Sequence, residues 1–146
     1  MAGEAVMQEA QNTGVVKDAY AAFGRNDVPG ILATLDDAIV WKAVIGAGPQ
    51  VPTSGERRGK PAVADFFKIL GEAFQFERFE PRQFVAQGDT VVALGSYAAR
   101  TSTGKRIESE WVMVFEFRNG KISQFQEFTD SAALNAAFAT TTAAAV

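Results

Sequence analysis

Asp130, Tyr20 and Tyr97 are the side chains of this sequence best suited to proton chemistry. The 146 residues include no histidine and no cysteine. That removes the commonest general base, the commonest metal ligand, thiol nucleophiles and disulfides together. Any reaction must therefore use carboxylates, phenols, lysines or backbone groups. Two-residue periodicity places Asp130 on one strand face with Phe128 and Gln126. A carboxylate among aromatic side chains loses hydration, which raises its pKa toward the range useful for proton transfer. The same residue also precedes the amphipathic stretch Ser131–Phe138, where Asp is a preferred helix N-cap, and the two roles are compatible. Tyr20 falls on the inward stripe of a first helix, and Tyr97 alternates with Gly95 and Ala93, whose small size would leave room for a ligand.

These residues need elements to hold them. Val15, Val16, Ala19, Tyr20 and Phe23 recur at helical spacing, which predicts a helix over 15–23. Asp27 can cap a short second helix with Pro29 early in it and Ile31, Leu32 and Leu35 facing inward, ended by Asp36 and Asp37. The β-branched and aromatic run 38–44 predicts a strand. After it comes a long irregular loop from Gly46 to Gly59, of the kind often used as a lid. A third helix starts near Pro61 with Val63, Phe66, Phe67 and Leu70 on one face. Beyond about Arg82 the period becomes two, and Gly88-Asp89, Thr103-Gly104 and Asn119-Gly120 punctuate strands near 82–87, 90–101, 105–118 and 121–129. The end, 140–146, reads as frayed.

Composition sets the class. A chain this long can bury a core without staples, and one domain over 1–146 with its core at 15–138 is expected. The first twelve residues lack the basic start and apolar run of a signal, and no window approaches the ~20 apolar residues of a membrane span, so a cytoplasmic protein without membrane contact is expected. The net charge is −3, and the one basic cluster, Arg57, Arg58 and Lys60, sits in a Gly-rich loop. Such a cluster suits a solvated loop or an anion at a cavity mouth rather than nucleic acid. No metal, nucleotide or other cofactor is expected. Acidic residues lack metal-site spacing, and Gly104-Lys105 lacks the rest of a phosphate loop.

Several motifs together carry a family resemblance: Tyr20-Ala-Ala-Phe23 with Arg25-Asn26-Asp27, Leu35-Asp36-Asp37 before Val40-Trp41, and Gly59-Lys-Pro-Ala-Val63 with Asp65-Phe66-Phe67. To these add Gly88-Asp89, the run Phe117–Ile122, and Phe128-Thr129-Asp130. In this order they resemble the SnoaL-like branch of the nuclear-transport-factor-2-like superfamily, over 15–138. The resemblance implies an α+β fold: a cone-shaped, curved antiparallel sheet wrapped by three helices around an apolar cavity. It also implies a homodimer formed through the convex sheet face. Alternation on 105–118 agrees, with Trp111, Met113, Phe115 and Phe117 on one face and Val112, Val114 and three glutamates on the other.

The resemblance further implies that Asp130 matches the acid of SnoaL-like cyclases and epoxide-hydrolase relatives. It implies too that Tyr20 lies near the phenol with which ketosteroid-isomerase relatives steady an oxyanion, with Tyr97 as a second donor. Trp41, Tyr97, Trp111, Met113, Phe115 and Phe128 would bind a hydrophobic small molecule, unless they are simply core. Other family sites are broken. The ketosteroid-isomerase base falls at Lys42 or Ala43 and its second acid near Met113, while Gly95, Tyr97, Trp41 and Ala43 occupy the epoxide-hydrolase positions. The expected function is a small-molecule-binding cone domain, with cyclase, isomerase or hydratase-type acid–base chemistry on a hydrophobic oxygenated compound. The alternative is a ligand-binding or dimeric scaffold module without turnover.

Overall fold

The computed structural model describes residues 2–139, so the expectation of fraying at 140–146 lies outside the described residues. Helix α1 (Ala2–Gly24) leads into the short α2 (Val28–Leu32). Strand β1 (Leu35–Ala43), strand β2 (Gly55–Arg58) and helix α3 (Lys60–Ala73) follow, then the long strands β3 (Phe74–Gln87), β4 (Thr90–Thr101), β5 (Arg106–Arg118) and β6 (Lys121–Thr129), and helix α4 (Ser131–Ala137). One six-stranded sheet has the order β2-β1-β6-β5-β4-β3. All neighbours are antiparallel except β1 and β6, which run parallel. The sheet curves without closing, and α1 and α3 pack on its concave side with the core between them, the mixed α+β cone that the sequence predicts.

Local chemistry explains most boundaries. The Asp27 carboxylate accepts from the Gly30 N–H at 2.9 Å and starts α2, with Pro29 in its first turn. Pro61 sits in the first turn of α3. Asn119 and Gly120 both have positive φ, 52° and 76°, the geometry of the tight hairpin that joins β5 to β6. No described helix is long and apolar enough to cross a membrane.

Several expectations change. Helix α1 starts at Ala2, not Val15; its first turns expose Val6 and Met7 and are held at one point, where Glu9 accepts from the Gly88 N–H at 2.7 Å. Leu35 ends no helix but opens β1, almost fully buried, and Asp36 and Asp37 lie within that strand. Strand β3 starts eight residues before Arg82, tolerating Pro81 because the strand lies at the sheet edge and its register shifts there. The 46–59 loop contains β2 and is tied down. Ser54 Oγ donates to the Gly48 and Val51 carbonyls at 3.0 and 2.8 Å, and Gly48 N–H donates to Asn135 Oδ1 at 2.7 Å.

Candidate functional site

The concave face of the sheet and the inner faces of α1 and α3 enclose a cavity of about 80 Å³. Tyr20 and Phe23 enter from α1, Phe66 and Phe67 from α3, and Trp41, Phe125 and Met113 from the sheet. Trp41 stacks on Phe125, its register partner across β1 and β6, at 3.8 Å between ring centroids. Among the described residues lining this space, Glu127 is the single carboxylate.

Glu127 sits on β6 directly opposite Met113 of β5. Glu127 is half-buried among these rings, and loss of hydration pushes its carboxyl up to about 7, a shift opposed by the nearby backbone N–H of Val44. Val44 itself has φ 49°. A left-handed conformation is a steric outlier for a β-branched residue and costs on the order of 1–3 kcal/mol, and such strain clusters at functional sites. The next N–H, from Ile45, donates to the Glu127 carbonyl at 3.0 Å. The strained turn thus holds the Glu127 backbone and lies beside its carboxyl.

Two phenols share the chamber. The Tyr20 hydroxyl donates to Met113 Sδ at 3.0 Å, beside Glu127 in the sheet. Burial first, and the Glu127 charge second, hold the Tyr20 hydroxyl well above its ordinary pKa. Tyr97 is raised by the same two causes in the same order, with Asp130 adding a smaller push and a Thr129 hydrogen bond opposing. Both phenols are therefore neutral donors at pH 7. A thioether is a weak acceptor, so the Tyr20 proton is free to turn to a better one. Behind Tyr20, Trp111 stacks at 5.5 Å and in turn stacks on Phe79 at 5.1 Å. The indole occupies the space over Gly95, where a Cβ would collide with it. The gap beside Tyr97 that the sequence suggested for a ligand is filled by Trp111, which backs the chamber without lining it.

The wall also carries unsatisfied polar atoms. Thr53 Oγ1 and Trp41 Nε1 are buried without hydrogen-bond partners, and both residues line the cavity.

Asp130 and Phe128 require correction. Asp130 is exposed; it accepts from the Ala133 N–H at 2.9 Å as N-cap of α4 and does not line the cavity. Phe128 is 40% exposed on the opposite sheet face. The cause is a single residue. A regular hairpin continued from Phe117↔Ile122 would put Gln126 and Phe128 beside Met113 and Trp111. Instead the register passes from Phe117↔Ile122 to Glu116↔Gln124, leaving Ser123 as an extra residue. One such bulge reverses every side chain beyond it. Phe125 and Glu127 therefore face inward. Tyr20, Tyr97, Trp41, Met113 and Phe115 are brought together around the chamber, as the sequence placed them. Lys42 lies on β1 with its Nζ 4.0 Å from Glu56, and Arg57 donates to the Thr53 carbonyl at 2.9 Å.

Known proteins share this architecture. The sequence profile of the SnoaL-like domain matches residues 16–125. An NTF2-like protein from Burkholderia xenovorans LB400 is 32% identical, with a TM-score of 0.79, covering 89% of this chain and 97% of its own. An NTF2-like protein of unknown function from Burkholderia pseudomallei K96243 is 27% identical, with a TM-score of 0.81 and coverages of 89% and 98%. TerC, co-crystallized with polyporic acid, shares the fold at 24% identity and a TM-score of 0.78, over 89% of this chain and 99% of its own. No curated protein matches the sequence.

Proposed function

The chain belongs to the SnoaL-like domain family, and from that premise we propose that it binds a hydrophobic, oxygenated small molecule and moves a proton on it with Glu127. The observation that carries this reading is a lone carboxyl in an aromatic chamber whose pKa of about 7 matches neutral pH. The ionised form takes a proton from a carbon next to a carbonyl. The electron pair moves onto the carbonyl oxygen, and the neutral Tyr20 or Tyr97 hydroxyl donates to the oxyanion that forms. The protonated Glu127 then returns the proton to another carbon, for isomerisation, or to an oxygen after ring closure. Proton and charge balance within the site, and no cofactor enters the step.

The test is exchange of the α-hydrogens of a methyl ketone in D2O, followed by proton NMR. The intact chain should accelerate exchange above buffer. Glu127→Gln should abolish the acceleration, Tyr20→Phe should reduce it about tenfold or more, and Asp130→Asn should leave it unchanged. Equal rates for the wild-type chain and Glu127→Gln would refute the assignment. The narrowness of the chamber favours a second reading, binding without turnover; it predicts ketone binding with no exchange above buffer in any variant.

A further inference from the structure

The chamber at Glu127 is not the end of the hollow space. At about 80 Å³ it has about half the volume of the roughly 150 Å³ apolar cavity that accepts benzene, so it seats a compact group and not a whole hydrophobic molecule. A second hollow of about 340 Å³ opens between the α1–α2 corner and α3. Phe23, Ile31, Phe67, Leu70, Phe74 and Phe76 line both spaces. The two spaces are therefore neighbours that share an apolar wall. The outer room adds Asn26 and Val28 on the corner and Gly71 on α3.

Gly71 supplies an independent observation. It lies inside a 14-residue helix, where glycine is less stable than alanine. Its φ is not positive, and a Cβ built there would meet nothing within 4 Å. Backbone geometry therefore does not require glycine at this position, nor does tight packing. One turn earlier on α3, Phe67 faces the shared wall. Gly71 lines the outer room, and no side chain narrows the room at that position.

Resting on the reading of Glu127 as the proton-transfer group, we propose that the outer room opens into the chamber as a tail-binding site and that the ligand is amphiphilic. Its compact oxygenated head enters the deep chamber, and an apolar chain stays between α2 and α3. The ligand class is then a ketone or acyl compound with a medium-length hydrocarbon tail. The six shared side chains give the tail its apolar contacts, and the exposed Asn26 at the corner belongs to the more polar rim where the outer room meets water.

The experiment titrates the full chain with the straight-chain 2-alkanones from 2-butanone to 2-decanone by ligand-observed NMR. Full burial of a methylene gives about a fourfold gain in affinity, so a room open on one side should give two- to fourfold per methylene in the wild-type chain. Gly71→Leu, which narrows the outer room, should flatten that dependence while leaving 2-butanone affinity unchanged. Gly71→Ala, which adds little bulk and favours the helix, should keep the slope and shows that the position tolerates a side chain. A wild-type affinity independent of chain length, or an equal slope in Gly71→Leu, would overturn the proposal. α-Hydrogen exchange on the same samples reports the deep chamber separately. Chain-length dependence without exchange supports the tail site and removes the proton-transfer reading, whereas exchange without chain-length dependence does the reverse.

Discussion

Replacing Glu127 by Gln should change how stability depends on pH, in a direction fixed by the burial of the carboxyl. In the unfolded chain this group has its ordinary value of 4.5, and in the native chain about 7. Between those values the native state holds a proton that the unfolded state has lost. Stability therefore falls as pH rises through that window, at about 1.4 kcal/mol per pH unit for one proton, and stays at its lower level above it. The full cost is about 3 kcal/mol at pH 8. Glutamine keeps the shape but carries no charge to desolvate. Below pH 4.5 the two proteins should be nearly equal in stability. At pH 8 Glu127→Gln should be more stable by about 2–3 kcal/mol, a shift of roughly 1–2 M in the urea midpoint for a slope near 2 kcal/mol per M. Urea titrations of both proteins at pH 4, 6 and 8 measure the difference, in which all other titrating groups cancel. Parallel pH profiles for the two chains would refute the reasoning, because they would mean that the carboxyl ionises as easily in the native state as in water.

Other substitutions probe the supports of the site. Asp130→Ala should cost about 1 kcal/mol through loss of the α4 cap, with ketone α-exchange intact; a loss of exchange at unchanged stability would return Asp130 to the chemistry. Gly95→Ala should collide with both the Trp111 indole behind Tyr20 and the Glu80 carbonyl on β3, cost about 2–3 kcal/mol and lower the Tm by roughly 5–10 °C, as thermal unfolding would show; an unchanged Tm would mean that the indole and the β3–β4 pair can both give way. On the convex face, the cross-strand rows Val85–Val92–Val114 and Leu94–Val112–Phe128 form one apolar surface with Phe128 and Val85 exposed, and we propose that two copies pair there. The wild-type chain should sediment at twice 15.6 kDa and Phe128→Asp at 15.6 kDa; a monomeric wild type would contradict the pairing.

Much of the fold is legible in the residues. Turn dipeptides and two-residue alternation give β4, β5 and β6 to within a residue, and the apolar stripe through Tyr20 gives the buried half of α1. The exposed half of α1 carries no inward stripe and forms through helix propensity, which a search for buried periodicity does not see. The early part of β3 is obscured because Phe74, Phe76 and Phe79 are spaced unevenly by a register shift between Phe76 and Arg78. The site was half visible. Its phenols and aromatic wall follow from alternation, but its carboxyl depends on the bulge at Ser123, which strict two-residue alternation around Asp130 passes over. One signal was present: Ile122 and Phe125, both apolar and three apart, cannot share the face of an unbroken strand. Taken with the buried face of Trp111, Met113 and Phe115, that spacing points to Glu127.

The most direct measurement is a carboxyl carbon-13 NMR titration of the glutamate-labelled chain from pH 3 to 9, with Glu127→Gln identifying the signal. A Glu127 midpoint near 7 is the predicted result, and it would place a carboxyl poised for proton transfer inside the aromatic chamber. A midpoint at the ordinary 4.5 would contradict the account, because a fully hydrated carboxylate there would leave the cavity without the base on which the proposed function rests.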